Sequence, residues 1–122
     1  MGAPLLPALL PALLLALTLP VSAAPPAPPA PPWRTGAQLL HQLRSPAEAA
    51  QAVSYLQGVV DATADRDWCY SRTRPSSAAL QAAVTDAIET APPALAAGSA
   101  GAIALAAWRH AWPCAGSGCC HA

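Results

Sequence analysis

Three features of the sequence predict an all-α fold, a small domain of four helices or thereabouts with a disulfide staple. No segment sustains the period-two alternation and β-branched content of a strand, and alanine, the best helix former, recurs throughout. Apolar residues also return at helical spacing within segments bounded by proline.

The first two dozen residues, MGAPLLPALLPALLLALTLPVSAA, run apolar from Leu5 to Leu19 and end in Val21-Ser22-Ala23. That small-x-small ending predicts a cleaved secretory signal over 1–23. The run is shorter than the roughly 20 residues a span needs and carries Pro7 and Pro11, which argues against a membrane anchor. No membrane span is expected after cleavage, and the product would be periplasmic or secreted. APPAPPAPP then predicts an extended, solvated spacer, so a linker is expected over 24–34. A helical domain is expected over 35–114 and a flexible, cysteine-containing tail over 115–122.

Within the domain, TGAQLLHQL places Leu39, Leu40 and Leu43 at helical spacing and predicts a short first helix. Ser45-Pro46-Ala47-Glu48 has the form of a capping box with proline at the first helical position, so a second helix is expected from there. Its stripe would be Ala49, Val53, Leu56 and Val60, reaching about Ala64, and Gly58 inside it suggests close packing against a neighbour. A third helix should begin at Ser76 or Ser77, bury Leu80, Val84, Ala87, Ile88 and Ala91, and stop at Pro92-Pro93. A fourth, beginning between Leu95 and Ser99, would run through Ile103, Ala106, Ala107 and His110 until Pro113. The core-facing side chains are expected to be small, each burying little area.

The chain carries no net formal charge, and all six of its cationic side chains are arginine. Binding to nucleic acid or anionic lipid is therefore not expected. An enzyme reading would make Cys69 a nucleophile with His41 or His110 as base, but neither histidine has a recognisable signature around it, and no catalytic residue or cofactor is assigned. A metal reading would use Cys119, Cys120 and His121, which lack zinc-site spacing; a frayed tail is the simpler account. In an oxidising compartment, cysteines suggest bridges first, and four of them allow three full pairings. The structural reading joins Cys69, after the second helix, to Cys114, beyond the fourth. Closing a loop of about 45 residues would stabilise the fold by roughly 4 kcal/mol.

YLQGVVDA at 55–62, Trp68-Cys69, the third helix ending at Pro92 and AWPC at 111–114 together resemble the Rap/Tai family of amidase-immunity proteins. That family is similar in being a small exported helical domain with a GYI-x-GV-x-DA helix, a WC-x-P loop and a terminal FPC or WPC. Tyr55, Gly58, Val59, Asp61, Cys69, Pro113 and Cys114 stand at matching positions. Ser54 replaces the usual glycine, Tyr70-Ser71 stands where a proline often follows the cysteine, and Leu43 and Ala52 occupy the places of a cysteine pair that bridges the first two helices in many members. The resemblance implies a periplasmic, non-enzymatic immunity protein that binds and blocks a cell-wall amidase effector of a type VI secretion system, with a homodimer as a further candidate assembly. An exported envelope protein that shares the scaffold without binding a toxin is the alternative. The loop 65–74 carries Arg66, Trp68, Tyr70, Arg72 and Arg74, the residue types that dominate binding hot spots. Trp68 is expected to fill core space, whereas Tyr70, Arg72 and Arg74 are the partner-binding candidates.

Overall fold

The computed structural model describes residues 2–4 and 19–115. Most of the expected signal, and Cys119, Cys120 and His121 of the tail, lie outside the described residues. Five helices follow in order: α1 (Gly36–Arg44), α2 (Ala49–Thr63), α3 (Ser77–Thr90), α4 (Pro93–Ala96) and α5 (Ala100–Ala111). No strand occurs among the described residues, which show only two isolated bridges, Thr35 with Ser99 and Ala64 with Trp68. The helix α5 packs on α1, α2 and α3, and α1 lies against α2.

Each long helix except α2 starts on a hydroxyl cap. Thr35 and Gln38 form a reciprocal capping box on α1: the Gln38 N–H donates to Thr35 Oγ1 (3.2 Å), and the Thr35 N–H donates to Gln38 Oε1 (2.9 Å). Ser76 and Ser99 accept from the backbone N–H groups of Ala79 and Ala102 at the starts of α3 and α5. The capping box expected at Ser45–Glu48 does not form. Ser45 instead ends α1, its N–H donating to Gln42 O, while its carbonyl accepts from both Glu48 and Ala49. Residues 46–48 become a tight turn and α2 begins at Ala49 with no side-chain cap.

The core departs from the expected stripes by a rotation of helices. In α2 the buried residues are Ala52, Leu56, Val60 and Thr63, with Ala49 and Val53 only half-buried. In α3, Leu80, Val84 and Ile88 are buried as expected, with Ala87 and Ala91 half-buried. The expected fourth helix is two helices: α4 is a single turn, and α5 buries Ala100, Ala104 and Trp108 while Ala106 and His110 face solvent. A buried tryptophan contributes about 150–250 Å², so α5 turns to bury Trp108 rather than the alanine-rich stripe. The core is consequently less uniformly small than its alanine content suggested, because Trp68 and Trp108 are both fully buried.

Close packing falls on a different glycine. A Cβ at Gly58 would meet nothing within 4 Å, so that residue is not at a helix contact. A Cβ at Gly36 would lie 2.6 Å from Ile103 Cδ1 and 3.1 Å from the Ala96 carbonyl oxygen. There the chain ends of α1 and α5 are laced together, Gly36 N–H donating to Gly98 O (3.1 Å) and Ala100 N–H to Arg34 O (2.8 Å). Arg34 then lays its guanidinium over the Tyr55 ring at 4.4 Å, a cation–π contact between the start of the domain and α2.

Candidate functional site

The loop 65–74 leaves α2 at Ala64 and is built by one carboxylate. Asp65 takes the left-handed conformation (φ 59°), which aspartate tolerates better than most residues, and its N–H donates to Trp68 O at 2.8 Å. Its side chain then reaches forward: Oδ1 accepts from the Tyr70 N–H (2.9 Å) and the Ser71 N–H (2.8 Å), and Oδ2 accepts from the Ser71 hydroxyl. The Ser71 hydroxyl and then its N–H, with a smaller contribution from the Tyr70 N–H, hold the Asp65 carboxyl below the ordinary aspartate range against the opposing effect of burial. The second half of the loop closes when the Arg74 N–H donates to Tyr70 O (2.8 Å), with Arg74 also left-handed (φ 44°). A non-glycine residue there, directly before Pro75, is strained.

Beneath the loop lies an aromatic floor. The Trp68 ring stands 5.3 Å from Trp108, 5.9 Å from Trp112 and 5.8 Å edge-on from Tyr70. Both buried indoles satisfy their N–H groups, Trp68 donating to Thr63 Oγ1 (2.9 Å) and Trp108 to Leu80 O (3.1 Å). On the flank, Asp67 joins Arg66 to Arg109 of α5: Arg109 donates to its carboxylate (3.2 Å) and to its carbonyl (3.3 Å).

Trp68 therefore fills core space, as its sequence position beside Cys69 suggested. Tyr70 is half-buried with its ring on the floor, and a cleft of about 330 Å³ opens beside it between Asp61, Ala64, Pro75 and Ser77. Arg72 and Arg74 are exposed and form no ion pair among the described residues. Asp65, Asp67 and Arg109 complete the loop, and none of them was legible as a site residue. The Asp65 contact spans six residues, beyond the two-residue reach of the local turns that aspartate usually signals.

Cys69 is buried, and its N–H donates to Trp112 O (2.9 Å), bringing it close to Cys114 in the chain. Neither described cysteine is a free thiol, so Cys69 is not an available nucleophile. His41 lies on exposed α1 surface, 3.8 Å from Glu48, while His110 lines an alanine-rich cleft of about 750 Å³ along α3 and α5. No group of three or more His, Cys, Asp or Glu able to hold a metal occurs among the described residues. Ala52 of α2 is buried in the core, and Leu43 of α1 is half-buried and packs against that core as part of the same apolar cluster.

Fold and loop together define an all-helical scaffold that displays a braced, arginine-bearing turn. The Rap1a immunity protein family model matches residues 35–114, and the chain belongs to that family. No curated protein and no solved structure matches it. Membership makes the protein a non-enzymatic immunity protein, which implies a cognate toxin as partner. No helix among the described residues is long and apolar enough to cross a membrane.

Proposed function

We propose that the protein acts in the periplasm, after loss of residues 1–23, by binding and blocking a peptidoglycan amidase effector of a type VI secretion system. The 24–34 segment serves as a spacer that ends where Arg34 is pinned to Ala100 and Tyr55, 35–114 as the binding domain and 115–122 as a tail. The observation that carries the reading is the family match ending at Cys114 together with a braced loop that leaves Arg72 and Arg74 exposed beside Tyr70. These three residues contact the effector, and the scaffold holds them in one shape so that little ordering entropy is lost on binding.

A Cys69–Cys114 disulfide fits this arrangement. The Cys69 backbone is already paired with Trp112, two residues before Cys114, and neither cysteine is free. Non-reducing peptide mapping should recover the two cysteines in one linked fragment; a link from Cys69 to Cys119 or Cys120 would overturn the pairing. For the function itself, the mature protein is mixed with peptidoglycan amidases secreted by the same organism and peptidoglycan hydrolysis is followed. Stoichiometric inhibition with a stable complex is expected. Full hydrolysis with no complex would overturn the immunity reading.

A further inference from the structure

Both acids of the loop are already committed. Asp65 is held by the Tyr70 and Ser71 backbone and the Ser71 hydroxyl, and Asp67 is shared between Arg66 and Arg109. The nearest acid on α2 facing the same cleft, Asp61, accepts from the Gln57 amide at 2.9 Å. Arg72 and Arg74 are left as two exposed charges with no counter-ion among the described residues, in a chain whose formal net charge is zero. Of the three arginines without an ion pair among the described residues, Arg34 lies over the Tyr55 ring, and the other two share a turn whose backbone is closed by the Arg74–Tyr70 bond and strained at Arg74. Backbone strain of this kind persists where the surrounding structure over-determines it, here through Asp65 on one side and Pro75 on the other.

We propose that this turn recognises a carboxylate-bearing surface of its protein partner, with Arg72 and Arg74 supplying the charge and Asp65 acting as the positioning residue that fixes the turn. The inference rests on the immunity reading and adds the chemistry of the partner's face. Arginine suits that role because its planar fork pairs with a carboxylate through two parallel hydrogen bonds. Two charges on a short closed turn suit one protein epitope. A polyanion or membrane is usually gathered by a longer basic stretch, with several phosphates neutralised or four to eight basic residues clustered.

The test uses the mature protein and peptidoglycan amidases secreted by the same organism, with association followed by surface plasmon resonance at low and high salt. For the wild type, association should slow roughly tenfold across that range. The double variant Arg72→Glu/Arg74→Glu should lose about tenfold or more in Kd and most of the salt dependence. Asp65→Asn keeps a side chain that tolerates the left-handed conformation but removes the charge. It should raise Kd severalfold while the circular dichroism spectrum stays that of the wild type. A salt-insensitive complex, or a charge-reversal variant that binds like wild type, overturns the proposal and leaves the immunity reading standing. Absence of any complex with the wild type overturns both. Cosedimentation with phosphatidylglycerol vesicles that is lost in the charge-reversal variant would assign the two arginines to a membrane and overturn the proposal as well.

Discussion

The end of the molecule under the loop and the outer face of α3 and α5 are built from opposite materials. Under the loop, Trp108, Trp112 and Tyr70 surround Trp68 at centroid distances below 6 Å, and both buried indole N–H groups are satisfied. Along α3 and α5, the cleft is lined by alanines such as Ala83, Ala87 and Ala106, with Leu95 exposed at its edge. Small side chains let two helices approach but give each contact little area, whereas aromatic side chains fix their neighbours through area and ring geometry. Rigidity is therefore concentrated where the loop needs support.

The largest effect that could break this comparison is Trp108→Ala. It should cost about 3–5 kcal/mol, while Ala106→Ser on the cleft should stay within about 0.5 kcal/mol of wild type. Urea unfolding measures both, and equal losses would mean that the aromatic floor is not the stiffer region. Gly36→Ala comes next. Its Cβ would press on Ile103 and on the Ala96 carbonyl, and a loss of about 1–3 kcal/mol is expected. Gly58→Ala, at an open helical site, should instead gain about 0.5–1 kcal/mol. Opposite shifts in melting temperature would separate the two glycines, and shifts of the same sign would not fit the packing described.

Thr63→Val keeps the shape under Trp68 but strands its indole N–H. A loss of at least about 1 kcal/mol is expected, with little change in a Trp68→Phe background, where there is no N–H to strand. A double-mutant cycle measures the coupling. The smallest effect concerns pH. The Asp65 carboxyl titrates below its unfolded value, so its contribution is fully present above about pH 3.9 and is lost as pH falls through the lower folded value. Exchange protection of the Tyr70 and Ser71 amides should hold from neutral pH down to that point and then fall. In Asp65→Asn, whose amide oxygen still accepts but carries no charge, protection should be weaker than wild type at neutral pH and should not change as the pH falls; wild-type protection with the wild-type pH dependence in that variant would remove Asp65 from its place at the centre of the loop.

Much of the fold can be read before any coordinates. Alanine content, the absence of strand patterning and the proline stops give an all-helical chain, and Ser76 and Pro92 bound α3 within two residues of its observed ends. Local rules were less reliable at Ser45, where a residue suited to starting α2 is used to finish α1, because the connection between them is too short for a separate cap. The rotations of α2 and α5 were also illegible. Helical spacing shows that a stripe exists, but neighbouring positions compete for it, and Trp108 wins on area.

By itself, the sequence determined the helical class, the family and the residues of the loop, since each depends on composition or on motifs contiguous in the chain. The tertiary structure decided which residues hold that loop. Asp65 reaches Ser71, Arg109 reaches Asp67 from α5, and Cys69 meets Trp112 from the far end of the domain. Contacts between residues six to more than forty positions apart form only when the packed helices bring them together, and no local propensity records them.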